Sequence, residues 1–241
     1  MQSFGIIGKP LHHSFSAKYF SEKFADENID AEYKLYPLDR IEDFAALCEQ
    51  AAFKGINVTL PYKEQIIPYL TRLDDTARKI GAVNVVHFTK DGLIGYNTDA
   101  IGFMESIRPL LQPNHRKALI LGTGGAAKAV HYGLQQLGIA TQFVSRNPLK
   151  GLTYDALSKE IMKEYTVIVN CTPVGMYPDT DVCPAIPYQE ITAAHLLYDV
   201  IYNPQKTLFL KKGEAQGATI ANGIQMLYGQ AEAAWKIWNN R

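Results

Sequence analysis

Two side chains in the first hundred residues are suited to proton transfer. Lys63 falls within residues 57–64, where Pro61 is predicted to open a helix and to place the lysine in its first turn. The positive end of a helix macrodipole disfavours an ammonium group, and this favours a lysine that exchanges its proton. Asp99 is the last residue of the segment 95–99 and lies at a second predicted boundary between secondary-structure elements. A solvated surface lysine and a helix-capping aspartate are the alternatives.

Hydroxyl and amide side chains lie at the ends of other predicted strands. Ser14 and Ser16 follow the first strand near the start of a helical stretch, Thr59 follows the third strand, and Asn84 lies at a further element end. Open α/β sheets bind ligands at the carboxyl ends of their strands, so these groups predict a small-molecule site. Helix capping is the alternative for both serines.

A glycine-rich turn in the middle of the chain predicts a dinucleotide site. The apolar run 117–121 is followed at once by the segment GTGGAA, which starts at Gly122, and then by a helical stretch to Leu137. Gly122 permits a tight turn, Gly124 lets the backbone approach a pyrophosphate, and Ala127 lets the helix pack closely on the sheet. The helix N-terminus offers unpaired N–H groups to the anion. A glycine turn that binds no ligand is the alternative.

The residues after the next predicted strand favour NADP over NAD. Residues 141–144 are followed by Ser145, Arg146 and Asn147, where an NAD site would carry Asp or Glu against the ribose hydroxyl. A guanidinium pairs bidentately with a 2′-phosphate and stacks on adenine, which suits NADP. A solvated surface arginine is the alternative.

Short apolar runs alternate with helical patterns along most of the chain, which predicts the α/β class. The predicted strands are residues 3–8, 32–37, 55–60, 83–88, 117–121, 141–144, 167–170 and 196–200. Helical patterns cover residues 16–28, 41–52, 99–111 and 224–238, and the last of these is expected to bury its two tryptophans in a core. Residues 90–92 predict a hairpin turn, and so an antiparallel edge on the first sheet. The polar stretch 109–117 resembles a linker, and we expect the fold to divide near residue 100.

The composition excludes several classes of protein. Of the 241 residues, 47% are hydrophobic and 20% are charged, as in folded globular chains. The 24 basic and 24 acidic residues leave no net charge to attract nucleic acid or anionic lipid. No apolar run reaches the roughly 18 residues of a membrane span, and the first residues lack the layout of a signal peptide. The cysteines and histidines show no metal-ligand spacing, so we expect reduced thiols, no metal and a cytoplasmic location.

Eight segments of the chain, in order, resemble signature segments of the shikimate dehydrogenase family. They are HHSFS, GINVTLPYKE, GAVNVV, GYNTDAIGF, GTGGAAKAV, NCTPVGM, DVIYNP and NGIQMLYGQA. The resemblance covers essentially the whole chain and implies an NADP-dependent oxidoreductase that reversibly reduces 3-dehydroshikimate to shikimate, in aromatic amino acid and chorismate biosynthesis. It implies an α/β substrate-binding domain over residues 1–100, a Rossmann-type NADP-binding domain over residues 101–222, and a C-terminal helix over residues 223–241 that returns to the first domain.

The resemblance also implies a role for each matching side chain. Lys63 and Asp99 match the catalytic pair of the family. The substrate carboxylate is expected at Ser14, Ser16 and Tyr202, and the ring hydroxyls at Thr59, Asn84 and Gln230. The residues expected at NADP are Gly122, Gly124, Gly125, Ala126, Ser145, Arg146, Lys150, Asn170, Thr172, Pro173, Val174, Gly223 and Met226.

Departures from the family pattern concern the adenosine end of the expected site. Only about 20 residues separate Arg146 from the predicted strand 167–170, so a helix common in this part of the family is expected to be missing. Asn147 and Pro148 replace a continuation that usually contains threonine, which leaves the role of Lys150 open.

Three alternative functions differ from the main interpretation. They are quinate dehydrogenase activity, the use of NAD, and a non-catalytic NADP-binding sensor. The serine at position 16 opposes the first, the lack of an acid after residues 141–144 opposes the second, and the intact pair of Lys63 and Asp99 opposes the third. The sequence leaves monomer and homodimer open.

Overall fold

A computed structural model describes residues 1–11 and 14–240. His12 and His13, from the first segment quoted above, lie outside the described residues. The chain divides into two compact units, of which the first comprises Met1–Thr98 together with residues from Ala231 onward, and the second comprises Asp99–Gln230. The predicted α/β class is confirmed, because each unit combines one sheet with helices. Among the described residues, no helix is both long and apolar enough to cross a membrane.

The described residues form strands and helices that alternate along the chain. The strands are β1 (Gln2–Gly8), β2 (Ala31–Pro37), β3 (Phe53–Val58), β4 (Arg72–Leu73), β5 (Val85–Thr89), β6 (Gly92–Tyr96), β7 (Lys117–Leu121), β8 (Ala140–Val144), β9 (Val167–Asn170), β10 (Leu196–Asp199) and β11 (Thr219–Ala221). The helices are α1 (Phe15–Asp26), α2 (Asp43–Gln50), α3 (Asp75–Ile80), α4 (Asp99–Ile107), α5 (Gly125–Gln136), α6 (Lys159–Glu164), α7 (Leu208–Ala215) and α8 (Ile224–Trp238).

The first unit is built on a six-stranded mixed sheet in the order β2-β1-β3-β5-β6-β4. β1, β2 and β3 are parallel, so their carboxyl ends lie at one edge of the sheet. β5 is antiparallel to both β3 and β6, so the predicted antiparallel strand lies inside the sheet and not at its edge. The edge strand on this side of the sheet is β4, whose two residues pair in parallel with β6. A two-residue strand has no periodicity, and the sequence pattern therefore did not predict it.

An aromatic core joins α8 to the sheet of the first unit. Trp238 is fully buried, its ring centroid lies 4.9 Å from that of Phe4, and its indole N–H donates to the Val86 backbone oxygen over 3.1 Å. Gly55 is required beneath it, because a Cβ there would collide with the indole nitrogen. Trp235 packs against Phe4 in the same core. The prediction that both tryptophans are buried in a core is confirmed.

The second unit is built on a five-stranded parallel sheet in the order β11-β10-β9-β7-β8. From β7 the chain moves outward to β8 and then returns to β9 on the other side of β7. This reversal creates a topological switch point at the carboxyl end of β7, the place where parallel α/β sheets bind ligands. The glycine-rich turn that follows Leu121 lies at this point.

One prediction about the second unit is wrong. The polar stretch 109–117 is not a linker, because His115 within it is only 5% exposed and its ring bonds to the Gln112 N–H and the Ala194 oxygen. That one helix of the family is missing from the segment between β8 and β9 stays a prediction. This segment carries a single α-helix, α6, which begins where Ser158 accepts a hydrogen bond from the Ile161 N–H. A helix of six residues is under two turns long, so it fits within that short segment.

Candidate active site

Backbone hydrogen bonds of the first unit gather predicted polar residues at the carboxyl edge of its sheet. At the end of β3, the Val58 N–H donates to the Asn84 oxygen over 2.9 Å. The Val83 N–H donates to the Lys63 oxygen over 2.7 Å. Thr59 follows β3 directly. The backbones of Thr59 and Lys63 therefore lie at the same end of the sheet strands as the backbone of Asn84, which is more than twenty residues further along the chain.

The Asn84 side chain is held against Thr98, the last residue of the first of the two segments that make up the first unit. Asn84 is 3% exposed, its Oδ1 accepts from the Thr98 N–H over 2.7 Å, and its Nδ2 donates to the Thr98 Oγ1 over 2.9 Å. Asp99 comes next in the chain, is 5% exposed, and is the first residue of α4. A carboxylate in the first turn of a helix is stabilised by the macrodipole. Asp99 is thus a buried acid that directly follows the residue anchoring Asn84.

The helix predicted to begin at Pro61 is not formed. Residues 60–66 make consecutive turns, and a short 3-10 helix follows at Ile67–Tyr69. The Lys63 oxygen, which an α-helix would pair with the N–H four residues later, accepts from Val83. This bond to a neighbouring segment replaces the helical hydrogen bond, so the argument from the helix dipole does not apply to Lys63. The side chain of Lys63 is half-buried.

The two predicted serines occupy different environments. Ser14 is half-buried and is the N-cap residue of α1, yet its side chain makes no capping hydrogen bond. Ser16 lies inside α1 and is 6% exposed. Capping therefore does not account for either serine.

A cavity of about 730 Å³ lies beside the glycine turn of the second unit. The residues assigned to NADP that line it are Gly122, Ser145, Arg146, Lys150, Thr172, Pro173 and Val174. The other lining residues are Thr123, Val144, Asn147, Tyr154, Cys183, Pro184 and Ala185. Within the described chain, this lining contains two cationic side chains and no carboxylate. The cavity therefore suits a ligand with an anionic group.

The glycine turn leaves the start of α5 open. Gly122 has a φ of +104°, a backbone conformation that strains any other residue. Gly124 is the N-cap residue of α5, and a Cβ added to it would meet nothing within 4 Å. Gly125 and Ala126 then begin the helix, whose first N–H groups have no partner within it. A pyrophosphate fits this open helix N-terminus, and an anionic ribose phosphate fits the cations of the same cavity.

Several lining residues escaped the sequence analysis. Thr123 could have been found, because a residue between two glycines of a phosphate-binding turn must lie beside the same ligand. Tyr154 carries no such signal, since it begins a short 3-10 helix, Tyr154–Ala156, that no sequence pattern marks. Burial raises the pKa of Tyr154, and the positive charge of Arg146 opposes that rise. The lining around Cys183 comes from a long segment without α-helix between β9 and β10.

A buried polar cluster supports the wall of the cavity that carries Thr172. Asn170 is fully buried. Its Oδ1 accepts hydrogen bonds from the Thr172 N–H over 3.0 Å and from the Thr172 hydroxyl over 2.6 Å. The Asn170 Nδ2 donates to the Asp199 carboxylate over 3.1 Å, and the Thr207 hydroxyl donates to the same carboxylate over 2.6 Å. Burial raises the pKa of Asp199 to about 6, against the lowering effect of hydrogen bonds from Thr207, the Ile201 N–H and Asn170. Asn170 therefore fixes the backbone and the hydroxyl of Thr172 from the buried side of the cavity wall.

Four further predicted residues lie in the second unit outside the lining of this cavity. Tyr202 follows β10 and is 38% exposed, and partial burial raises the pKa of its hydroxyl. Gly223 precedes α8 at a point where a Cβ would collide with neighbouring backbone. Met226 packs in the hydrophobic core of the unit. Gln230 is 6% exposed, and its Nε2 donates to the Leu227 oxygen over 2.9 Å.

The fold and these sites define a class of protein, a two-unit α/β protein with a Rossmann-type dinucleotide-binding unit. Residues 6–86 match the family model of the shikimate dehydrogenase substrate binding domain. Over 250 residues the chain is 39% identical to a shikimate dehydrogenase (NADP(+)) of Clostridium botulinum, covering 99% of this chain and 96% of that protein.

Solved structures give the same result. The shikimate dehydrogenase of Aquifex aeolicus matches with a TM-score of 0.89 and 35% identity, over 100% of this chain and 93% of that one. The shikimate 5-dehydrogenase of Thermus thermophilus, solved in complex with NADP(H) and shikimate, matches with a TM-score of 0.89 and 30% identity, over 100% of this chain and 94% of that one. The chain belongs to the shikimate dehydrogenase family.

Proposed function

We propose that this protein is an NADP-dependent oxidoreductase that reversibly reduces 3-dehydroshikimate to shikimate, a step in aromatic amino acid and chorismate biosynthesis. The observation that carries the proposal is the cavity of the second unit, in which Arg146 and Lys150 accompany an open glycine turn and no described lining side chain is acidic. The names of the relatives support the same reaction, as does the neighbour solved with NADP(H) and shikimate.

The cofactor is proposed to bind with its pyrophosphate at the start of α5, where the helix N-terminus supplies N–H donors. Its 2′-phosphate is assigned to Arg146, which offers a bidentate pair of donors, with Lys150 adding a second positive charge. Thr172 is placed by Asn170 and Asp199 to line the same site. When bound, the reduced nicotinamide supplies a hydride.

The substrate is proposed to be held mainly by uncharged donors. Its carboxylate is assigned to Ser14, Ser16 and Tyr202, and its ring hydroxyls to Thr59, Asn84 and Gln230. Ser14 supports this assignment because its hydroxyl makes no capping bond. Thr59 and Asn84 support it because their backbones share one edge of the first sheet. Hydroxyl and amide groups of this kind bind an anion without the strong hydration of a lysine ammonium.

The chemical step needs a proton as well as a hydride. A ketone that accepts hydride develops negative charge on its oxygen, and a positioned acid must neutralise that charge. Lys63 is proposed as this acid. Asp99 is proposed to orient the lysine and to accept a hydrogen bond from the neighbouring ring hydroxyl. The pair therefore has to act as one unit.

We also propose a cytoplasmic location and a small-molecule substrate without nucleic acid or membrane partners. Cys48, Cys171 and Cys183 are all unpaired, as expected in a reducing compartment.

The proposal is tested by following reduced-nicotinamide absorbance with purified protein in four pairings, shikimate or quinate with NADP or NAD. We expect the highest kcat/KM for shikimate with NADP. A preference for quinate or for NAD would identify one of the alternative dehydrogenases. NADP binding without turnover in any pairing would contradict the proposal and favour a non-catalytic sensor.

A further inference from the structure

The segment after β8 folds back along the end of that strand. Leu152 pairs with Val144 in a parallel bridge, and the Leu152 oxygen accepts a hydrogen bond from the Ser145 N–H over 2.8 Å. Arg146 and Tyr154 each lie two residues beyond this bridge, and both line the cavity beside the glycine turn. Two side chains that are eight residues apart in sequence therefore reach the same cavity.

The two cations of the cavity, Arg146 and Lys150, have no acidic partner among the described residues. In that part of the chain, neither side chain forms an ion pair or a hydrogen bond. The turn between them is fixed by Asn147, whose Oδ1 accepts from the Leu149 N–H and whose backbone oxygen accepts from the Lys150 N–H, both over 3.0 Å. The backbone of the turn is thus held in place, and both charged groups are left to a ligand.

The hydroxyl of Tyr154 adds an uncharged donor to these two cations. The residue is half-buried, and its ring packs against the hydrophobic core that contains Leu157 and Met162. The hydroxyl makes no hydrogen bond with any described residue, and no fully buried polar side-chain atom of those residues lacks a partner. The hydroxyl is therefore not enclosed, and its one proton is available to a ligand. Burial raises the pKa of Tyr154 against the opposing charge of Arg146, so this proton is retained at neutral pH.

A ribose phosphate needs more donors than one guanidinium supplies. A phosphate monoester carries close to two negative charges and three terminal oxygens, each of them a strong acceptor. A guanidinium binds two of these oxygens in parallel, as proposed above for Arg146. The third oxygen is left for another donor. Lys150 contributes a hydrated point charge, whereas a phenol held by its packed ring donates one directed hydrogen bond.

We infer that Tyr154 is a specificity-determining residue whose hydroxyl donates to the 2′-phosphate of NADP, beside Arg146 and Lys150. The inference rests on the proposed function, because only that function places NADP in this cavity. NAD carries a ribose hydroxyl where NADP carries the phosphate. Tyr154 therefore adds to the affinity for NADP and not to the affinity for NAD.

The test compares two probes that differ only in the 2′-phosphate, adenosine 2′,5′-bisphosphate and adenosine 5′-monophosphate. Each is titrated by calorimetry into the whole chain, so that the readout is affinity and not turnover. Tyr154→Phe keeps the packed ring and removes no hydrogen bond of the folded chain, so it should unfold at the same urea concentration as the wild type. We expect it to weaken binding of the bisphosphate about tenfold, the effect of losing one hydrogen bond to a charged group. Binding of the monophosphate should stay within about twofold.

Tyr165→Phe is the matched control. Tyr165 packs against the same core as Tyr154, and it is not among the residues that line the cavity. Its hydroxyl likewise makes no hydrogen bond with the described residues. The affinities of Tyr165→Phe for both probes should equal those of the wild type.

The outcomes distinguish the inference from the proposed function. Wild-type protein that binds the two probes equally would overturn both the inference and the proposed use of NADP. Where the wild type prefers the bisphosphate, an unchanged affinity of Tyr154→Phe for that probe would overturn the role of the hydroxyl alone. An equal loss of affinity for both probes would also overturn it, because Tyr154 would then act on the adenosine part that they share.

Discussion

Asp199 should make the second unit more stable in mild acid than it is at neutral pH. Burial raises the pKa of this carboxyl from 3.8 to about 6, so between those values the folded protein keeps a proton that the unfolded chain has released. Stability then rises as pH falls through 6, because the folded state binds more protons than the unfolded state. Protonation is compatible with the site, since the acid can donate to the Thr207 hydroxyl while its other oxygen still accepts from Asn170.

The expected size follows from the two pKa values. At pH 7 the carboxyl is almost fully ionised in both states, and at pH 5 the folded state is mostly protonated while the unfolded state is not. The difference between these two conditions amounts to about 1.3 kcal/mol of unfolding free energy. Asp199→Asn keeps the shape of the side chain and removes its titration. The wild type should therefore gain about 1.3 kcal/mol more than Asp199→Asn on going from pH 7 to pH 5.

The assay is urea unfolding of both proteins at the two pH values, followed by two probes. Trp235 and Trp238 are the two tryptophans of the chain and both belong to the first unit, so their fluorescence reports on that unit. Far-UV circular dichroism reports on both units, and the two transitions need not coincide in a protein of two units. Other titrating groups cancel in the comparison with Asp199→Asn. Parallel shifts of the two proteins by circular dichroism would refute the reasoning.

Three further predictions concern the proposed site. Lys63→Ala should lower kcat about 10²- to 10⁴-fold and leave NADP affinity unchanged, with Lys79→Ala at an exposed lysine as the control, and a near-normal kcat would remove Lys63 from the mechanism. The double variant Lys63→Ala with Asp99→Asn should have a kcat little lower than that of the worse single variant. Arg146→Asp should weaken NADP by about 1.5–3 kcal/mol and NAD much less, by direct titration of each cofactor, and equal weakening would contradict the assignment of the 2′-phosphate. Ser14→Ala should raise KM for shikimate with little change in kcat, since a contact away from the reacting carbon is similar in ground and transition states; an unchanged KM would leave Ser14 without a role in binding.

Much of the fold could be predicted because its signals are local. Strands β7 and β9 and helix α8 begin and end at the predicted residues, since buried parallel strands appear as short apolar runs and a long amphipathic helix has a clear period. The turn at Lys63 could not be predicted in this way. Its structure depends on a hydrogen bond from Val83, which lies twenty residues further along the chain.

The same distinction between local and long-range signals applies to the candidate site. Arg146 could be placed at the cofactor cavity because it follows a strand next to a recognisable glycine turn, whereas Thr172 could be placed there only through the resemblance to the family. The contact between Tyr33 and Asn57 joins side chains 24 residues apart on strands that are not adjacent, and no pattern within either strand indicates it. Buried hydrogen bonds of this kind arise from tertiary packing, and a single sequence does not reveal them.

The discontinuous first unit has a consequence for synthesis of the chain on the ribosome. Its aromatic core needs Trp235 and Trp238 against Phe4, yet these tryptophans are made after the whole of the second unit. While residues 99–230 are being synthesised, the apolar face around Phe4 and Gly55 lacks its covering helix, and exposed surface of this kind promotes aggregation. The second unit, by contrast, is one continuous segment and is complete first. A nascent chain stalled between these two points would therefore present a finished nucleotide-binding unit beside an incomplete substrate unit.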